Sequence, residues 1–201
     1  METINFLTKE EAMELAFKIG YEGEAQRTNC AQEVFHAITS VLGIKNHMLF
    51  KSLSALEGGG AVSTFGSCGA FNGALVVFSY FFGRSYEQWQ NKESYIKSSI
   101  LGQKLFKKFK ENYGTVTCRE IHKVKFGRTF DLMDEKNLGI DKGALKDFED
   151  MGAHENVCPT VVGQSAYWAI DILWEHLPKD IDLSDYPSMK KALQNFEPKK
   201  K

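Results

Sequence analysis

The apolar residues of this sequence recur at helical spacing, and no stretch of useful length alternates between apolar and polar residues as a half-buried strand would. Ala12, Leu15, Ala16 and Ile19, for example, fall on one helix face near the start of the chain. A chain with this pattern buries its apolar faces by packing helix on helix. The predicted fold class is therefore all-α, a single-domain helical bundle.

Capping residues, glycines and prolines set the bounds of the predicted helices. Thr8 and Glu11 form a capping box that opens the first helix, and Gly20 is expected to end it. The other predicted helices run from Thr28 or Asn29 to Gly43, Met48 to Leu56, Cys68 to Gly83, Ser85 to Asn112, Thr115 or Thr117 to Gly127, Lys142 to Met151, and Cys158 to Leu177. These segments predict a helical domain over residues 1–180, followed by a C-terminal extension with a basic tail over 181–201.

Charge and hydropathy limit the partners of this chain. Lys and Arg total 25 against 26 Asp and Glu, so the net charge of -1 does not favour nucleic acid or an anionic membrane surface. The most apolar run, Ala74 to Phe82, is about half as long as a bilayer-spanning helix must be. The N-terminal residues show no secretory signal, so we expect a cytoplasmic protein.

Four cysteines, Cys30, Cys68, Cys118 and Cys158, each stand at or just before a predicted helix N-terminus. Each interval between successive cysteines is long enough for one helix that runs away from one end of the bundle and a second helix that returns to it. All four cysteines can therefore meet at that end. A helix N-terminus offers unpaired N–H groups and a partial positive charge, which favour a thiolate over a thiol and would stabilise an anionic cluster.

The spacing of the cysteines narrows their chemistry. No C-x-x-C pair is present, which disfavours an ordinary structural zinc site, and no C-x-x-C-H motif is present, which excludes covalent haem attachment. Separated thiolates suit an iron–sulfur cluster, or a disulfide pair that forms when the fold brings two cysteines together. No defensible carboxylate pair or nucleophile elbow indicates a hydrolase.

Four short blocks carry a resemblance to a known family: Asn29-Cys30-Ala31-Gln32, Cys68-Gly69-Ala70-Phe71-Asn72-Gly73-Ala74, Thr117-Cys118-Arg119-Glu120-Ile121, and Cys158-Pro159 with Val161-Val162. Together they resemble the C_GCAxxG_C_C family of redox-active proteins over about residues 8 to 177. The resemblance implies kinship with the split-Soret cytochromes, in which a helical domain of this kind accompanies a non-haem iron–sulfur centre and a dimer carries haems. The haem-attachment motifs are absent here, so the resemblance implies only the cluster.

Two departures from the family pattern stand out. Ser67 occupies the position where the family has glycine before the cysteine. The interval between Cys118 and Cys158 is longer than the family leads us to expect, and the polar segment 128–157 is the predicted insertion.

Two histidines and one aromatic cluster have alternative interpretations. His122 follows Cys118 by four residues and His154 precedes Cys158 by four, so either could replace a cysteine as ligand or be an ordinary surface histidine.

The second feature is a group of large side chains that surround one helix almost completely, which favours the core and leaves a homodimer interface as the alternative. Its members are Phe78, Tyr80, Phe81 and Phe82.

The sequence thus predicts an electron-transfer protein that holds an iron–sulfur cluster through Cys30, Cys68, Cys118 and Cys158 and exchanges electrons with a redox partner protein. Catalysis on a substrate is not predicted. One alternative is a thiol–disulfide oxidoreductase, with Cys68 as the nucleophile behind the glycine loop at Gly58 to Gly60. The other is a helical module in which a metal only stabilises the fold.

Overall fold

The computed structural model of the chain describes residues 7–26 and 29–177, and within them the all-α prediction is confirmed. The predicted C-terminal extension and basic tail at 181–201 lie outside these residues. The helices are α1 (Lys9–Glu24), α2 (Cys30–Val41), α3 (His47–Ser52), α4 (Gly69–Phe82), α5 (Ile96–Tyr113), α6 (Cys118–Phe126), α7 (Lys142–Asp150) and α8 (Cys158–Trp174). A two-residue hairpin pairs β1 (Met133–Asp134) with β2 (Gly139–Ile140).

The main core lies between α1, α2, α4, α5 and α8. Phe78 of α4, Phe109 of α5 and Leu173 of α8 are completely buried in it. The Phe109 ring packs edge-on against Phe71 and Trp168, with ring centroids 5.3 and 5.6 Å apart. Of the large side chains that were expected to surround α4, Phe78 is buried in this core, whereas Tyr80 is 47% exposed.

The prediction that Gly20 ends the first helix is wrong, because α1 continues to Glu24. Gly20 is buried where α1 crosses α8, and a Cβ atom there would lie 3.3 Å from the Cα of Gly163. The glycine therefore permits the two backbones to approach, and tertiary packing outweighs its low helix propensity. The extra turn carries Glu24 into the end of the bundle where the cysteines lie.

The predicted start of the long helix at Ser85 is also wrong, because α5 begins only at Ile96 and turns occupy the preceding residues. Trp89 is 64% exposed and does not reach the core. Instead, the guanidinium of Arg84 lies over the rings of Trp89 and Tyr95, at 4.9 and 5.0 Å from their centroids. Aromatic residues that pack on a surface arginine can thus have the sequence spacing of a helix although the segment is not helical.

Two other boundaries differ from the predicted ones. The segment Met48 to Leu56 is divided into α3 and a 3₁₀ turn, Ser54–Gly59, that kinks at Glu57 and Gly58. At the other end of the chain, α8 stops at Trp174 before reaching Leu177.

Residues 128–157, the predicted insertion, form the small hairpin, α7 and a π-helical turn at Ala153–Val157. They enclose an apolar cluster of their own, made by Phe130, Leu132, Phe148 and Ala153. Cys158 packs against this cluster, so the segment covers the end of the bundle where the cysteines meet.

No helix in the part of the chain that the structure describes is both long and apolar enough to cross a membrane.

Substituting Gly163 by alanine tests the close crossing of α1 and α8. The new Cβ atom would lie 2.8 Å from the carbonyl oxygen of Phe17, so the helices must separate. We expect a loss of about 1–3 kcal/mol of unfolding free energy, measured by urea denaturation, although alanine is the better helix former. The control is Gly139→Ala, where a Cβ atom meets nothing within 4 Å and stability should change by less than about 0.5 kcal/mol. Equal effects of the two substitutions would contradict the packing argument.

Candidate functional site

All four cysteines line one cavity of about 300 Å³ at the end of the bundle. Cys30, Cys118 and Cys158 are the first residues of α2, α6 and α8, and Cys68 immediately precedes α4. The predicted placement of the cysteines at helix starts and their convergence at one end are therefore both observed. Below, this space is called the cysteine cavity.

Cys30 and Cys68 come together because α2 and α4 cross at two glycines. A Cβ atom on Gly69 would collide with the sulfur of Cys30, and one on Gly73 would collide with the carbonyl oxygen of Ala31. The glycines at these positions let the start of α2 press against the start of α4. Gly69 and Gly73 of the second block are thus required for the packing of the site.

Cys68 and Cys118 are held together by a short antiparallel bridge between Ser67 and Thr117. The backbone N–H of Cys68 donates to the Val116 carbonyl at 2.8 Å, and the N–H of Cys118 donates to the Gly66 carbonyl at 3.0 Å. Each cysteine follows a bridged residue, so the two enter the cavity as neighbours. The serine that replaces the family's glycine fits here because its hydroxyl donates to the Asn72 side chain at 2.6 Å.

Cys158 begins α8 ahead of Pro159, as predicted, but it does not start from an open helix end. Val157 already has helical dihedral angles, and the N–H of Cys158 donates to the Ala153 carbonyl within the preceding π-helical turn. The positive end expected from an uncapped helix start is therefore reduced at this cysteine.

The prediction that the helix starts lower the cysteine pKa values is wrong for the metal-free protein. Backbone N–H groups do reach the thiols, from Gly58 to Cys30 and from Ala70 and Phe71 to Cys68, and they lower the pKa. Burial outweighs them, raising the pKa values of Cys68 and Cys118 to about 12 and those of Cys30 and Cys158 well above the ordinary value. Loss of hydration destabilises each thiolate by more than the backbone N–H groups stabilise it, so all four cysteines are thiols at neutral pH.

Glu24 lines the cavity as well, and no sequence motif predicted it there. It lines the cysteine cavity from the last turn of α1 and is only 3% exposed. Burial, and then the carboxylates of Glu33 and Glu57, raise its pKa to about 9. Its position could have been found from spacing, because Ala16, Gly20 and Glu24 follow each other at four-residue intervals on the buried face of α1.

His122 also lines the cavity, with its Nε2 atom 3.5 Å from the sulfur of Cys118. It is buried among the rings of Phe126, Phe130 and Phe148, and its Nδ1 atom has no hydrogen-bond partner. Burial lowers its pKa to about 4, so the imidazole is neutral at pH 7. The shared helix face with Cys118 is confirmed, while a role as metal ligand stays a prediction.

His154 lies in the π-helical turn and lines the same cavity. Its Nδ1 atom is 2.8 Å from a carboxylate oxygen of Glu149, and its Nε2 atom is 3.9 Å from Oε1 of Glu24. The two histidines therefore differ, since His122 faces a thiol and His154 bridges two glutamates.

Within the described residues, no three of the His, Cys, Asp and Glu side chains converge closely enough to hold a single metal ion. The four free thiols instead surround the cavity from different helices. Such an arrangement suits a group of several atoms, and thiolate is the ligand type that iron–sulfur clusters take. The donor set and the available space therefore fit a cluster.

Comparison with known proteins gives one match. A family model described as "Putative redox-active protein (C_GCAxxG_C_C)" matches residues 28–172, which is well over half of the chain and includes all four cysteines. No curated protein and no solved structure matches the sequence.

The neutral state of His122 predicts a pH dependence of stability in the metal-free protein. Because its folded pKa of about 4 lies below the ordinary value of 6.5, the unfolded chain binds more protons between these pH values. The contribution of His122 to stability should therefore fall as the pH drops from 6.5 to 4, by at most about 3 kcal/mol, while Glu24, whose pKa is raised to about 9, contributes a change of the opposite sign. Urea denaturation of the wild type and of His122→Phe across this range isolates the His122 contribution as the difference between the two. The exposed control His47→Gln should follow the wild type, and equal pH dependence in the wild type and His122→Phe would count against this assignment.

Proposed function

Since the chain belongs to the C_GCAxxG_C_C family of redox-active proteins, we propose that it transfers electrons through an iron–sulfur cluster held by Cys30, Cys68, Cys118 and Cys158. The observation that carries the proposal is the meeting of four cysteines, far apart in sequence, around one cavity. Cysteine thiolates are the usual ligands of such clusters. When bound, the cluster supplies one-electron oxidation and reduction at a site the protein keeps away from water.

The size of the cysteine cavity supports a cluster over a single structural ion. Zinc draws its sulfur ligands to about 2.3 Å and leaves no space between them. Here the four thiols are among the residues that line a cavity of about 300 Å³, and in the described part of the chain no three His, Cys, Asp or Glu side chains converge on a single ion. A metal that only braces the fold is therefore the less favoured interpretation.

The protonation of the thiols also supports cluster binding. Thiols that burial keeps neutral lose their protons when a metal supplies positive charge, since the coordinated form is the thiolate. The N–H groups of Gly58, Ala70 and Phe71 that reach Cys30 and Cys68 then stabilise the sulfur charge. Hydrogen bonds to the sulfurs are among the factors that set the reduction potential of a cluster.

The same observations weaken the thiol–disulfide alternative. A nucleophilic cysteine needs a lowered pKa and access to its substrate. Cys68 is buried and its pKa is raised to about 12, so it does not offer a thiolate at neutral pH. Electron transfer through the cluster would require a redox partner protein. A cytoplasmic location and a homodimeric assembly of this chain stay predictions.

The test is the iron and acid-labile sulfide content of protein purified without oxygen, together with its visible spectrum. We expect iron with matching sulfide and a brown colour. Separate Cys→Ser substitutions at the four positions should each lower the iron content, because each removes a ligand. The matched control is Ser67→Ala, which changes the residue beside Cys68 and leaves all four thiols in place.

Two outcomes would overturn the proposal. Folded protein without iron, in which two thiols react rapidly and form a disulfide reversibly, would support the thiol–disulfide alternative. Colourless protein that holds zinc with its thiols protected would support the structural metal.

A further inference from the structure

We propose that Glu24 is a neutral carboxylic acid that donates a hydrogen bond into the cysteine cavity, to a sulfur atom of the group bound there. This inference rests on the proposed function and deepens it, because it adds a positioning residue that is not a cysteine. It is carried by the burial of Glu24, by an oxygen atom without a partner, and by the groups that face it.

The first observation is an unsatisfied polar atom at the wall of the cavity. Glu24 is 3% exposed, lines the cysteine cavity, and its Oε2 atom has no hydrogen-bond partner. A buried polar atom without a partner is destabilising, so such atoms are rare unless a ligand or water completes their hydrogen bonds. The contents of the cavity are therefore the natural partner for this oxygen.

The second observation is the orientation of the carboxyl group. Oε1 faces Nε2 of His154, at 3.9 Å. His154 is itself fixed, because its other nitrogen, Nδ1, lies 2.8 Å from the Glu149 carboxylate. With Oε1 on the histidine side, Oε2 is the oxygen without a partner, and in this proposal it carries the proton. Glu149 and His154 line the cavity beside Glu24.

The third observation is the charge around Glu24. The groups that face it are carboxylates, thiols and one imidazole, from α2, the 3₁₀ turn, α4, the π-helical turn and α8: Glu33, Glu57, Cys30, Cys68, Cys158 and His154. Burial and the two carboxylates favour the protonated acid. A cluster held by four thiolates is anionic, and a nearby anion favours the protonated acid further.

A neutral acid in this position has a definite effect on electron transfer. An O–H group that donates to sulfur stabilises the more negative, reduced state of the site. An ionised carboxylate in the same place would do the opposite, because its negative charge opposes the incoming electron. The two protonation states therefore predict opposite shifts of the reduction potential when Glu24 is replaced by leucine, a fall if the acid is neutral and a rise if it is ionised.

The first experiment compares the midpoint reduction potential of the anaerobically purified wild type with Glu24→Gln, Glu24→Leu and Glu14→Gln. Glutamine keeps a neutral donor, so its potential should stay close to the wild-type value. Leucine removes the donor, so its potential should fall. Glu14 is exposed on the same helix, and its substitution should change nothing. A clear rise in Glu24→Gln would mean that a carboxylate had been removed and would overturn the proposal.

The second experiment needs no cluster. Infrared spectroscopy of the metal-free protein at pH 7 should show the carbonyl stretch of a protonated carboxylic acid, which Glu24→Gln loses and Glu14→Gln retains. Absence of that band from the wild type overturns the proposal even if the cluster is present. Absence of iron from wild-type protein that shows the band overturns the proposed function, and with it the use of Glu24 as a donor, while leaving its protonation established.

Discussion

The close contact between α2 and α4 at Gly69 and Gly73 is the constraint on which the cysteine cavity depends. Because neither glycine has a side chain, the sulfur of Cys30 and the carbonyl of Ala31 occupy the space that a Cβ atom would take. This contact sets Cys30 beside Cys68, and the bridge between Ser67 and Thr117 then adds Cys118. Cys158 enters the same cavity from the start of α8, so the site is assembled from segments far apart in sequence.

The cavity is surrounded by groups that are neutral because they are buried. The four thiols, the imidazole of His122 and the carboxyl of Glu24 all have pKa values displaced toward their uncharged forms. The aromatic cluster of residues 128–157 and Phe126 excludes water on one side and thereby produces much of this desolvation. Thiols in such a site lose their protons only when positive charge is brought close to them.

The loop after the 3₁₀ turn closes the other side of the cavity at a cost in backbone strain. Ala61, Val62 and Thr64 all have positive φ angles, which residues other than glycine rarely adopt and which are least favourable for the β-branched Val62 and Thr64. The loop is held by hydrogen bonds from the Thr64 N–H to the Gly58 carbonyl, at 2.7 Å, and from the Arg119 N–H to the Thr64 carbonyl, at 2.9 Å. Strain that neighbouring structure maintains next to a buried cluster of thiols is typical of a functional segment.

Local sequence was enough to predict the helical class, the capping box at Thr8 and the position of each cysteine at a helix start, because periodicity and capping depend on neighbours along the chain. Tertiary packing was needed to show that Gly20 continues a helix, that Trp89 stays outside the core, that burial favours the neutral thiols and that Glu24 lines the cavity. Most of these depend on atoms far away in sequence, such as a facing glycine on α8 or another helix that removes water, whereas Trp89 packs on the nearby Arg84. Close approach and desolvation have no local signature, so these features appear only once the chain is folded.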